Sequence, residues 1–460
     1  MNTQTEQVIE VLRSRFQGKD LLVGAAVAER VTSYWNPGPT IGAAIVFPRS
    51  TDDVSYILKT CHDHDQAVVV QGGKTGVVQG AEATASDIII SFERMKGVED
   101  IDVTGCTASV QAGAVLEAVQ TQIAAQGLLF PLDLGARGSC TIGGNVATNA
   151  GGINVIRYGM MRNLVLGLEA VLADGTVLSS MNYMLKNNAG YDLKQLFIGS
   201  EGTLGIVTRV VIRLFPAPLT SQSALVAMTD FTAVTDFLRQ SSQALGGDLS
   251  AYEVMWGDYY RAVTGPDLHR APLARDHAFY VVLKMEGSDP AGDPARFEGL
   301  LADALERGVI ADAVVPQSER EELDIWTVRE QFEPLFVHAP VFLYDVSLPI
   351  KDMAAYVTEV EQRIAAQWPD GMCFALGHIG DGNLHFFVAP KDDTATHAQA
   401  DGIIYGALVP YGGSVSAEHG IGHEKKGWLS ASRTADEIAV MQLLKRTLDP
   451  KGILNPGVVL

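Results

Sequence analysis

Two short stretches near the end of the chain hold residues that could do chemistry together: GHIGDGNLH (Gly377 to His385) and, further on, SAEHGIG (Ser416 to Gly422). Asp381-Gly382 is a strong two-residue hairpin turn signal, flanked by the strand-like runs Cys373 to Ile379 and Leu384 to Val388. Counting back from that tip, Gly380 faces Asn383, Ile379 faces Leu384, and His378 opposes His385. Opposed residues project to one side with Cβ atoms roughly 4.5 to 5.5 Å apart, close enough for two imidazoles to share one divalent ion. Asn383 points the same way. Glu418, with the ionisable His419 beside it, is the candidate third ligand. Two histidines and a carboxylate leave coordination positions open, as a catalytic metal requires. The alternative is that both histidines pack in a hairpin and Glu418 is solvated. Opposed register, the neighbouring asparagine and the Glu-His pair must then coincide by chance.

A chain of 460 residues exceeds one ordinary core, so two domains are expected and a third is allowed. With 47% hydrophobic residues, 46 glycines and a mean hydropathy of +0.13, it is globular rather than disordered. A net charge of −20 and a pI near 4.9 argue against nucleic-acid and anionic-membrane partners, both of which need a basic face. An anion must therefore be met by locally concentrated positive charge. Cys61, Cys106, Cys140 and Cys373 are scattered without a CxxC pair and read as buried thiols of a reducing compartment. The opening MNTQTEQVIEVLRSRFQGKD patterns as a surface helix and has no apolar run of signal-peptide or membrane-spanning length. A cytoplasmic protein without a transmembrane segment is the expectation. An organelle protein stripped of its transit peptide would look similar.

Glycine clusters between residues 70 and 206, and not in a Rossmann or Walker pattern. QAVVVQGGKTGVVQGA (Gln66 to Ala81) is a strand leading into a loop whose backbone amides could cradle a pyrophosphate. PLDLGARGSCTIGGNVATNAGG (Pro131 to Gly152) carries six glycines among small polar residues and can run close against a large planar ligand. GYDLKQLFIGSEGTLGIVTRVVIRLFP (Gly190 to Pro216) turns through glycines into an apolar strand. Each alone reads equally well as ordinary turns. Three in one region point to a single extended ligand.

These motifs, with PRSTDDVSYILKTC, SAEHGIGHEKKGWL and the closing LDPKGILNPG, resemble in order those of the FAD-linked oxidases of the vanillyl-alcohol oxidase type. Within that superfamily the chain is most similar to D-2-hydroxy acid dehydrogenases, of the D-2-hydroxyglutarate and D-lactate dehydrogenase kinds. The resemblance implies an α+β fold: a split FAD-binding domain (1–216), an antiparallel-sheet substrate-binding cap domain (217–412), and a C-terminal helical segment (413–460) completing the active site and the FAD domain. The prolines at 216 and 218 suit the first boundary. By the same resemblance Gly72, Gly73, Thr75 and Gly76 hold the FAD pyrophosphate, and Pro131, Asp133, Ser139, Gly143, Gly144, Asn145, Thr148 and Asn149 line the cofactor. Glu201, Gly202, Ile206 and Asn455 complete its site. Lys74 and Gln71 depart from the family's usual RGGNTG, which puts side-chain contacts there in doubt. With no histidine or cysteine in the GGKTG loop, FAD is expected to be non-covalent.

The chemistry so implied is oxidation of a D-2-hydroxy acid to the 2-oxo acid. The acid chelates a divalent metal, expected to be Zn, at His378, His385 and Glu418, His419 takes the hydroxyl proton, and hydride passes to flavin N5. Arg329, in DIWTVREQFEPL, is the candidate clamp for a carboxylate, with Asn383 and Tyr344 as further substrate residues; a surface arginine on an amphipathic helix is the plainer reading of Arg329. Relatives using 2-hydroxyglutarate carry YKYD where this chain has Phe342-Leu343-Tyr344-Asp345, and a threonine where it has Glu333. Residues four apart on a helix share a face, so Glu333 is expected to pair with Arg329 and reduce its attraction for a second carboxylate. Both changes make the pocket less cationic, so a smaller or more apolar acid such as D-lactate is plausible. An electron-transfer flavoprotein or quinone as acceptor, and a homodimer, are implied by resemblance alone. Two other classes stay open: a metal hydrolase, which leaves the glycine loops without purpose, and an ether-forming FAD synthase, which has no need of the metal ligands.

Overall fold

The computed structural model describes residues 3–265 and 268–460, and the chain divides into two compact units. The first comprises Met1–Gly151, Gly159–Ala217 and Glu418–Leu460, the second Gly152–Tyr158 and Pro218–Ala417. The second unit thus runs to Ala417 rather than Gly412. Segment 414–417 stays with it because Ser347 and Ser414 exchange backbone hydrogen bonds of 3.1 and 2.7 Å.

In the first unit, a four-stranded sheet orders strands Leu21–Val23, Ala44–Val46, Ile88–Ser91 and Val68–Gln71, the last two pairs parallel. Ile88, Ile89 and Ile90 are fully buried, as expected of a parallel strand covered on both faces. Helix Thr51–Asp63, capped by the Ser50 side chain at Asp53 N, packs Val54, Ile57, Leu58 and Cys61 into the same core. A second sheet is antiparallel throughout, in the order Val98–Asp102, Thr107–Gln111, Ile206–Arg213, Val165–Val171, Val177–Ser180. The chain's end returns to the first sheet: Val68 N donates to Ile453 O at 2.8 Å and Asn455 N to Val68 O at 2.9 Å.

The second unit is built on seven antiparallel strands ordered Asp312–Val314, Thr220–Met228, Phe279–Gly287, Leu249–Trp256, Met372–His378, Asn383–Ala389, Phe342–Ser347. One face is covered by helices including Phe231–Leu245, Met353–Gln367 and His397–Leu408. Tyr252 donates to Val234 O at 2.7 Å there, and the Tyr356 and Phe386 rings meet edge to face. The other face carries Leu225, Met255, Leu376 and Phe387 beneath Tyr259 and Tyr260 of helix Gly257–Val263 and Ile325 and Val328 of helix Glu319–Glu330. The candidate site residues His378, Asn383 and His385 lie on this second face. All four cysteines are free; Cys61 and Cys140 are buried as expected, whereas Cys106 and Cys373 are only partly so.

Candidate active site

The histidine hairpin forms, in a different register from the one read from the sequence. His385 lies opposite Leu376, not His378, and residues 379–382 make the connection through a 3-10 turn over Ile379–Asp381. A two-residue type I′ tip needs positive φ at both central positions. Only Gly382 adopts it (φ 90°), with Asp381 instead accepting from Asn383 N at 3.3 Å. The hairpin therefore closes through a wider loop. A slip of two residues preserves the face of every side chain, so the histidines remain neighbours, now diagonal, with ring centroids 5.2 Å apart and planes at 80°. Gly377 and Gly380 fit this turn closely. A Cβ at Gly377 would lie 2.2 Å from Asn383 O, and one at Gly380 2.7 Å from Ile156 Cδ1.

Two residues not foreseen as functional support the pair. Glu253 is the one carboxylate in the otherwise uncharged strand Leu249–Trp256, and it pairs across the sheet with His378. Fully buried, it places Oε1 2.8 Å from His378 Nδ1 and Oε2 2.7 Å from Arg329 Nη2. Burial pushes the Glu253 carboxyl upward, but its contacts with His378 and Arg329 outweigh burial and hold the group below its ordinary value. Asp345, also fully buried, stands directly opposite His385. Its Oδ2 accepts from Ala417 N at 3.1 Å and from the Ser416 hydroxyl at 3.3 Å. A lone carboxylate within a buried strand was the signal for both.

Arg329 is buried, at 7% exposure, not on a solvated helix face. Helix Glu319–Glu330 ends one residue later, and Glu333 sits beyond it in the 3-10 turn Glu333–His338 with Pro334 in its first turn. The expected helical pairing of Glu333 with Arg329 is therefore absent; the arginine's carboxylate partner is Glu253. Tyr344 is the other correction. Side chains alternate along a strand, so Tyr344 points away from the face that holds Asp345 and donates its hydroxyl to Asp401 Oδ1 at 2.8 Å. It is a packing residue under helix His397–Leu408. Leu343, which shares the Asp345 face, is only partly buried and lies opposite Phe387. Both amide atoms of Asn383 and Nε of Arg329 are buried with no hydrogen-bond partner among the described residues, and Arg329 Nη2 meets Glu253 Oε2 as an ion pair without an aligned hydrogen bond. Polar atoms so placed suit an anionic, hydrogen-bonding ligand.

In the first unit the glycine loops meet each other. A Cβ on Gly72 would stand 2.4 Å from Thr141 Oγ1, one on Gly73 2.1 Å from Ser139 O, and one on Gly143 2.6 Å from Ala112 Cβ. Only glycine lets these backbones approach so closely. Thr141 caps the short helix Ile142–Thr148, with Gly143, Gly144, Asn145 and Thr148 on it and Asn149 closing it at φ 52°. Thr75 and Gly76 follow Lys74, whose φ of 56° is the left-handed conformation that asparagine tolerates best, a physical reason for the family's usual residue there. Lys74 Nζ donates to Val31 O at 2.6 Å and Gln71 Nε2 to Ala81 O at 3.0 Å, so both departures are used within the protein. Pro131 is buried, and Asp133 lies 3.0 Å from Arg137 Nε.

Three expected cofactor residues also have internal work. Ile206 is 2% exposed in the core. Asn455 accepts from Val70 N at 3.0 Å and donates to Glu201 O at 2.6 Å, beside Gly202. Replacing Asn455 with alanine is expected to lower stability by about 2 kcal/mol through these lost bonds, read as an earlier denaturant midpoint. Glu201 accepts from Ile421 N at 2.7 Å and Gly422 N at 2.9 Å, anchoring the turn that follows Glu418 and His419. Burial raises its carboxyl, and those amides only partly offset the rise.

Residues 42–180 match the FAD binding domain family and residues 217–459 the family of FAD linked oxidases, C-terminal domain. Together with the site, these matches show that the chain belongs to the FAD-linked oxidase family. It is 42% identical over 422 residues to the mitochondrial D-2-hydroxyglutarate dehydrogenase of Bos taurus, covering 89% of this chain and 75% of that protein. It is 38% identical to the D-2-hydroxyglutarate dehydrogenase of Xanthomonas citri pv. viticola, covering 98% and 95%. Its fold is also that of 4-ethylphenol oxidase from Gulosibacter chungangensis (TM-score 0.76, 19% identity, 99% and 97% covered) and of an alkyldihydroxyacetonephosphate synthase (TM-score 0.75, 18% identity, 98% and 84% covered). Among the described residues no helix is long and apolar enough to cross a membrane.

Proposed function

We propose that this protein is an FAD-dependent, metal-assisted D-2-hydroxy acid dehydrogenase. The observation that carries the reading is the buried face on which His378, His385, Asn383 and Arg329 gather, with His378 already held through Nδ1. Relatives named as D-2-hydroxyglutarate dehydrogenases support it. We take the first unit (1–151, 159–217 and 418–460) as the FAD domain and the second (152–158 and 218–417) as the substrate-binding cap.

The donor set fits a divalent ion: His378 and His385 supply neutral nitrogens and Glu418 a carboxylate, a set suited to Zn²⁺. Glu418 follows directly on Ala417, whose amide is fixed at Asp345. The close-packed glycine backbones fit FAD. When bound, the ion supplies Lewis-acid polarisation and the flavin accepts two electrons. The chain's own residues do the rest. Arg329 and Asn383 bind and orient the acid through N–H donors, and His419 accepts the hydroxyl proton on a ring nitrogen. Glu201 fixes the turn behind His419. The acceptor is an electron-transfer flavoprotein or quinone, the assembly a homodimer, and the compartment the cytoplasm.

For the substrate we propose an acid with an uncharged side chain in preference to D-2-hydroxyglutarate. Glu253 already balances the charge of Arg329, and the strip beyond His385 is Leu343 and Phe387. Steady-state kinetics test this: kcat/KM for D-lactate or a longer aliphatic D-2-hydroxy acid should exceed that for D-2-hydroxyglutarate. Leu343→Lys should raise kcat/KM for D-2-hydroxyglutarate by about tenfold or more, as expected of a charged hydrogen bond worth about 1.5–3 kcal/mol. A wild-type preference for the dicarboxylate would contradict the assignment.

A further inference from the structure

We propose that Glu253 is a positioning residue that selects the metal-binding tautomer of His378 while holding Arg329 in place; this rests on the metal reading above. The two oxygens of its carboxylate face different partners, His378 Nδ1 at 2.8 Å and Arg329 Nη2 at 2.7 Å, and Glu253 is fully buried. Arginine only donates, and a carboxylate only accepts. A neutral His378 that donates from Nδ1 to Glu253 carries no proton on Nε2, which makes Nε2 the nitrogen that can ligate an ion. Ligating histidines are commonly oriented in this way through their second nitrogen. One carboxylate thus links the two chemistries of the site: ligation at His378 and anion binding at Arg329.

Glu253→Gln separates this role from mere packing, because glutamine has the same shape but one acceptor and one donor. Its carbonyl must face the donor Arg329, so its NH2 faces His378 Nδ1, which must now accept. The ring proton then moves to Nε2, where it blocks ligation. Zn²⁺ affinity is measured by chelator competition on the FAD-loaded protein, with the flavin spectrum and thermal midpoint as checks on folding. The expected result is Zn²⁺ binding weakened by about 10- to 100-fold in Glu253→Gln, with the flavin spectrum unchanged. Equal affinity in the two proteins would overturn the proposal. Absence of Zn²⁺ binding in the wild type would overturn it together with the metal reading, and shows before any variant is made. If Glu253→Gln does not fold, the double variant Glu253→Met/Arg329→Met removes the buried charges as a pair, a change that folded proteins tolerate. The same loss of Zn²⁺ affinity supports the role, and retained affinity overturns it.

Discussion

Replacing His419 with glutamine is expected to reduce kcat by about 10²- to 10⁴-fold, the usual contribution of a positioned general base, while FAD and metal contents stay at wild-type levels. Glutamine keeps a polar side chain of similar reach but cannot take up a proton. The turn around it is fixed independently, since Glu201 binds the amides of Ile421 and Gly422 and His423 N donates to Val78 O at 3.1 Å. A structural disturbance is therefore not expected. Stopped-flow reduction of the flavin at saturating D-2-hydroxy acid would measure it. The deficit should shrink as pH rises, because the substrate hydroxyl then depends less on a protein base. A variant reduced at the wild-type rate would remove His419 from the chemistry.

Replacing His385 with alanine is expected to have the second large effect: loss of bound divalent ion and of flavin reduction by any 2-hydroxy acid, with the yellow colour retained. His385 belongs to the second unit, whereas the glycine loops that fit FAD belong to the first. Flavin binding and metal binding should thus fail separately. Its strand, Asn383–Ala389, is paired on both sides, so one truncation should leave the sheet intact. Metal analysis of the purified variant and an anaerobic titration with substrate would show both losses. A His385→Ala protein that still reduces its flavin without metal would refute metal assistance.

Much of this site was legible from residue types and alternation. The histidine pair survived an error in register because the error was two residues, and a two-residue slip leaves every side chain on its face. The turn itself was misread because Asp-Gly specifies a type I′ tip only if the aspartate also takes positive φ, which Asp381 does not. Tyr344 is adjacent in sequence to the candidate site but, by strand alternation, faces the opposite side of the sheet. Its neighbour Asp345 holds the position opposite His385. Glu253 escaped notice because strands Leu249–Trp256 and Met372–His378 are far apart in sequence, and only pairing brings it to His378. Glu333 faces Arg329 only on a helix continued to residue 333, whereas the helix stops at Glu330. Local chemistry is readable from short motifs. Pairing between distant strands is not.

The most direct test of the dehydrogenase assignment is the anaerobic visible spectrum of the purified protein, recorded as D- and L-2-hydroxy acids are added with and without a chelator. Bleaching of the flavin band by D-acids, abolished by the chelator and restored by Zn²⁺, is the predicted result. A flavin band that no 2-hydroxy acid bleaches would contradict it and favour a non-redox member of the same fold. An active protein with no flavin would instead favour a metal hydrolase.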